Sequence, residues 1–166
     1  MGHHPVKRKI TFFLLIIALA LIQATLAHDV AFFGVRPDLL FFAAIFASLY
    51  FELLPALIFC LFAGFLKDSF LGVTLNTFLF PLWCIAIKQL ARSVSIDNEF
   101  VASGLVLVAV FINDILIRVI FSPPVNPMPL GVFLKIIILG PVYTALVSFF
   151  MFRSAPFRKV INANYL

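Results

Sequence analysis

From Ile10 to Phe152 the chain is a succession of apolar runs broken only by isolated charges and short polar stretches, and this pattern leaves few folds open to it. A helix that crosses a bilayer needs roughly 20 mostly apolar residues. Of the 166 residues, 64% are hydrophobic and 11% charged, whereas soluble domains average about half apolar and a quarter charged. Mean hydropathy is +1.18. The chain therefore reads as an all-α polytopic membrane protein, with length for about five to seven spans and no room for a second, soluble catalytic domain. One membrane domain, residues 10–152, is expected between a basic N-terminal segment, 1–9, and a basic tail, 153–166. The net charge of +5 marks a cytoplasmic face, where short loops carry excess Lys and Arg, and calls for no nucleic acid. Cys60 and Cys84 sit inside apolar runs and read as small core residues.

The first run, Ile10 to Ala27, follows Lys7, Arg8 and Lys9 and ends in small residues, as a secretory signal would. It exceeds a signal's apolar core, and the rest of the chain is equally apolar, so it reads as the first span. Leu39–Phe51 and Leu53–Leu66 are divided by Glu52. A single helix across both would be about 43 Å long and would bury Glu52 mid-membrane, at a cost of several kcal/mol. Two short helices turning at Glu52 avoid this, with Pro55 in the first turn of the second, where a missing N–H costs nothing. Each would cover only some 21 Å, so local thinning, re-entrance or shielding by protein is expected there. Phe70–Ile87, Phe100–Phe121 and Leu130–Phe152 complete six spans.

Charge counting favours six over five. Six spans with an inner N-terminus place Lys7, Arg8, Lys9, Lys88, Arg92, Arg153, Arg158 and Lys159 inside, and only Arg36 and Lys67 outside. Five spans would move Lys88, Arg92, Arg153, Arg158 and Lys159 outside. Both termini are thus expected in the cytoplasm. The stretch Ser122 to Pro129 holds four prolines and makes a stiff outer loop. The tail, with Arg158 and Lys159, suits anionic headgroups.

Charges at membrane depth are where function is sought first. Asp114 and Arg118 share a helix face at the spacing of an ion pair, beside Asn113; Lys135 lies near the outer edge of the sixth span. They form either a site for a substrate, proton or partner between spans five and six, or a self-neutralising pair that holds the bundle. Ala56, Cys60 and Gly64 recur every fourth residue, with Asp68 continuing the face, and Gly140, Thr144 and Ser148 do the same past a kink expected at Pro141. Such ridges let backbones approach closely, within the bundle or against a partner's helix. No H-E-x-x-H, G-x-G-x-x-G, P-loop or metal-spaced Cys-His cluster occurs. His3, His4 and His28 lie at the terminus or a membrane edge, and no serine stands in G-x-S-x-G, so neither catalysis nor a cofactor is expected.

The order of features resembles the MreD family. It has a basic N-terminus, a first helix ending around Gln23, and Gly34-Val35-Arg36-Pro37-Asp38-Leu39-Leu40 opening a second helix. Gly64-Phe65-Leu66-Lys67-Asp68 and Leu71-Gly72 follow, with Lys67 departing from an apolar position in the pattern. The resemblance implies a non-enzymatic component of the bacterial inner membrane that acts in cell elongation and lateral peptidoglycan synthesis. It implies binding to the single-span protein MreC through helix contacts, in a complex with MreB, RodA and a class B penicillin-binding protein. It also implies likeness to the substrate-binding-subunit fold of energy-coupling-factor vitamin transporters. That fold supplies a second reading, in which an outward cavity would be built around Asn76, Trp83 and Asn126.

Overall fold

The computed structural model describes residues 5–25, 34–71, 75–93, 98–121 and 129–154. These hold six helices: α1 (Pro5–Thr25), α2 (Leu39–Tyr50), α3 (Leu53–Leu71), α4 (Leu75–Ser93), α5 (Glu99–Phe121) and α6 (Leu130–Arg153). Gly72, His3, His4, His28, Asn126 and the tail from Ala155 onward lie outside the described residues.

The shortest helix is the centre of the bundle. Every residue of α2 from Leu39 to Ser48 is buried, and α2 is packed against each of the other five helices. A helix that is apolar on all sides has no polar face to offer water and belongs in a core. Its 12 residues cover only about 18 Å, and among the three accommodations expected for so short a helix, protein surrounds it. Phe12 of α1 meets Phe46 and Phe59 at ring-centroid distances of 5.4 and 5.0 Å. On the opposite flank Phe152 of α6 meets Phe42 and Phe46 at 5.3 and 5.9 Å. Phenylalanine thus fills the gaps between helices, and Phe78, Phe100 and Phe150 point outward instead.

Between α2 and α3 the chain turns where Glu52 stands. Phe51 leaves the helix in extended geometry, Glu52 is exposed, and the Ala56 N–H donates to the Glu52 carbonyl as the next helix begins. Pro55 lies in the first turn of α3, as its missing donor favours. The far end of α3 differs from expectation. The helix does not stop at Leu66 but runs through Lys67 and Asp68 to Leu71, and α4 starts at Leu75 rather than Phe70. Two charges looked like an exit from the membrane because charge at depth is costly, but here both are satisfied inside the protein. With 19 residues, α3 is about 28 Å long and needs no thinned bilayer.

The helix pairs α3–α4 and α5–α6 form the most extensive contacts, and the α5–α6 hairpin meets the rest chiefly along α2. α6 continues as one helix through Pro141. Leu53–Phe70, Glu99–Arg118 and Gly131–Arg153 are long and apolar enough to cross a membrane, while α1 and α2 carry shorter apolar stretches. Large apolar side chains such as Leu54, Phe65, Leu82 and Leu146 are more than half exposed along the outer faces. Soluble monomers rarely show so continuous an apolar surface; it fits a helical membrane protein.

Candidate functional site

A cluster of polar residues forms where α1, α3 and α5 end and α2, α4 and α6 begin. Asp38 starts the cluster. Standing before α2, it caps the helix: its Oδ1 accepts the Phe41 N–H at 3.0 Å, filling one of the four donors that a helix start leaves open. Its Oδ2 accepts from Lys67 Nζ, and the two side chains are only 15% and 11% exposed. The ammonium also lies 5.3 Å from the Phe80 ring centroid, within reach of a cation–π contact. The Asp38 N–H donates to Thr144 Oγ1 of α6 at 3.0 Å, and the Thr144 hydroxyl donates back to the Gly140 carbonyl at 2.9 Å. Gln23, from the end of α1, accepts the Leu40 N–H at 3.0 Å. The start of the central helix is therefore bonded to α1, α3 and α6 at once.

Next to Lys67 in α3, Asp68 does the same for another helix. Its Oδ1 accepts from the N–H and the side-chain Nδ2 of Asn76 at 3.0 and 2.8 Å. Its Oδ2 accepts from the N–H and the hydroxyl of Thr77 at 2.7 and 2.6 Å. A residue of α3 thus serves as the cap of α4, and its charge also complements the positive end of that helix dipole. Gly64 makes the approach possible: a Cβ there would lie 2.5 Å from the Asn76 carbonyl oxygen and 2.9 Å from Thr77 Cα.

Both small-residue ridges lie inside the protein. Ala56 and Cys60 are fully buried, and the Cys60 thiol donates to the Ala44 carbonyl at 3.3 Å. Thr144 and Ser148 are 1% and 0% exposed, and the Ser148 hydroxyl donates to the Ala145 carbonyl. Gly140 faces Asp114, whose Oδ2 lies 3.5 Å from where a glycine Cβ would be. Close backbone approach is used here within the bundle.

Above the cluster is a cavity of about 650 Å³. Asp38, Lys67 and Thr144 form part of its floor, Gln23 and Arg36 border it from α1 and the segment before α2, and Asp114 and Arg118 face it from α5. Asp114 and Arg118, four residues apart, both line this cavity together with Val110 of the same helix. Lys135 is exposed and is not among the lining residues. Nor are Asn76 and Trp83, which were expected to border an outer cavity. Asn76 is taken up by Asp68, and the Trp83 indole donates to Asn113 Oδ1 at 3.1 Å, tying α4 to α5. The reason is the late start of α4, which turns Asn76 into a capped first-turn residue.

Lys67 and Arg36 are site residues to which the sequence assigned no role beyond an outer charge. Asp38 and Lys67 lie nearly equal numbers of residues either side of the turn at Glu52, so an antiparallel hairpin must bring them together; that symmetry was the available signal. The pair also yields a prediction. Replacing Lys67 by Met strands the Asp38 carboxylate, and Asp38→Ser keeps a cap but strands the ammonium. Each is expected to lower the apparent melting temperature in detergent by more than the double variant implies by addition. A coupling of about 1–3 kcal/mol is typical for residues in contact. Additive effects would show that the two charges do not act as a pair.

A family model described as rod shape-determining protein MreD matches residues 6–156. No curated protein and no solved structure gives a significant match.

Proposed function

Because the chain belongs to the MreD family, whose role is in rod-shape determination, we propose that it acts as a non-enzymatic scaffold of the bacterial elongation complex, holding MreC by helix-to-helix contact. In this reading all six helices lie in the inner membrane, with both termini in the cytoplasm, as residues 10–152 and the basic flanks suggest. MreB, RodA and a class B penicillin-binding protein join the same complex and direct lateral peptidoglycan synthesis.

The observation that carries the proposal is the use made of the motif residues. Gln23, Asp38 and Asp68 each bond the start of a helix other than their own or join several helices at one point. Such residues fix a rigid bundle, and a rigid bundle offers constant outer faces to a partner. Since Ala56, Cys60, Gly64, Gly140, Thr144 and Ser148 are buried, the partner's helix docks on larger outward side chains, by van der Waals packing in lipid. The cavity favours a second reading, a substrate-binding subunit like those of energy-coupling-factor transporters, because such a subunit needs a concave polar site.

The test is a detergent pull-down of the tagged protein from its native membrane, read by mass spectrometry for proteins and small molecules. Recovery of a single-span, coiled-coil protein of wall elongation is the expected result. Recovery of ATPase subunits with a bound vitamin would replace the scaffold by the transporter reading.

A further inference from the structure

The polar groups around the cavity differ in how fully their bonding capacity is used. Asp38 is occupied by Lys67 and the Phe41 N–H, and Thr144 both accepts and donates. Asp114 is not so placed. Its carboxylate faces the cavity next to Gly140 and makes no hydrogen bond to another described residue. A carboxylate offers about four acceptor positions, and a half-buried one without donors is costly. Gln23 spends its carbonyl on Leu40 and also lines this space. Arg36 brings a guanidinium to the rim, and Arg118 adds positive charge one turn beyond Asp114.

We propose that this cavity binds the headgroup of an aminophospholipid, with the primary ammonium donating to Asp114 and the phosphate held by Arg36 and the Gln23 amide. The site asks for both charges. An anion alone leaves the Asp114 carboxylate without a hydrogen-bond donor, and a cation alone leaves Arg36 without a counter-charge. Three N–H donors on a primary ammonium suit a carboxylate with several free acceptor positions, whereas a quaternary ammonium has no N–H to give. The volume of about 650 Å³ lies within the usual range of small-ligand sites, about 300–1,000 Å³.

A lipid fits better than a free zwitterion because the wall of the cavity leads onto an apolar outer surface. Phe70 lines the cavity and is 51% exposed. Val132, one turn from the lining residue Ile136 on the same face of α6, is 44% exposed. Acyl chains leaving the headgroup site would lie along these side chains. The inference is independent of the protein partner proposed above.

Native mass spectrometry of the purified protein tests it, with an equimolar mixture of phosphatidylethanolamine, its mono- and dimethyl forms, phosphatidylcholine and phosphatidylglycerol of matched acyl chains. Retention is expected to fall with each N-methyl group, reaching about a tenfold preference for phosphatidylethanolamine over phosphatidylcholine, the order expected for losing one charge-assisted hydrogen bond. Asp114→Asn should flatten that series. Arg36→Gln, at an exposed position that does not threaten folding, should weaken all the phospholipids while keeping their order. Equal retention of every lipid by the unmodified protein overturns the proposal whatever the variants do, as does an Asp114→Asn protein that keeps the preference. Glycerophosphoethanolamine, which has the headgroup and no chains, is expected to compete poorly; competition as strong as the lipid's would overturn the lipid as source.

Discussion

A Gly64→Ala protein is expected to unfold far more easily than the parent, although the change adds a single methyl group. The added Cβ would stand 2.5 Å from the Asn76 carbonyl oxygen, 2.8 Å from its carbonyl carbon and 2.9 Å from Thr77 Cα. All three are backbone atoms, so no side chain can swing aside. The start of α4 cannot retreat either, because four bonds from Asp68 hold it against α3. Overpacking in a rigid site costs about 1–3 kcal/mol and sometimes more, and this site belongs at the upper end. Gly64→Leu should fail to accumulate as a folded protein. Gly104 supplies the control: a Cβ there meets nothing within 4 Å, so Gly104→Ala in the second turn of α5 should leave the melting temperature unchanged or raise it slightly. Thermal unfolding in detergent, with size-exclusion profiles for each variant, separates the two. If Gly64→Ala and Gly104→Ala melt together, the close approach of α3 and α4 is wrong.

Removing the Asp68 carboxylate is the second large effect expected. Asp68→Ala would leave the N–H groups of Asn76 and Thr77 without their acceptor at the start of α4. Unsatisfied buried donors cost about 1–3 kcal/mol each, so a loss of about 3 kcal/mol or more is expected. Asp68→Asn should fall between Ala and the parent. Its oxygen can still accept from Asn76, but its amide would present N–H to the N–H of Thr77, donor against donor. Measured melting temperatures should therefore descend from parent to Asn to Ala. An Asn variant as stable as the parent would mean that the second carboxylate oxygen does little. An Ala variant as stable as the parent would remove Asp68 as the cap of α4.

Asp68 also shows where reading along the chain stops short. The sequence reads it as continuing the small-residue face of α3, whereas its bonds go forward to a helix that starts beyond Leu71. No local pattern distinguishes a carboxylate that ends its own helix from one that caps the next. Asp38 was easier: Pro37-Asp38 before an apolar run is a local helix-start signal, and the cap formed as such. Its second bond, to Lys67, was legible only through the symmetry of the hairpin about Glu52. Thr144, on α6, reaches the same residue, and nothing local to either residue announces that contact.

The division follows from the range of the forces involved. Apolar runs, the break at Glu52, the place of Pro55 and the cap at Asp38 depend on neighbours in sequence and on the contrast between apolar and polar surroundings, so the sequence alone determined six helices and the turn between the second and the third. The late start of α4, the burial of both small-residue ridges and the cavity that joins Gln23, Arg36, Asp114 and Arg118 were decided by tertiary structure. There, hydrogen bonds and close contacts act over a few ångströms between residues far apart in the chain, and only the packing of α2 among five other helices brings those residues within reach.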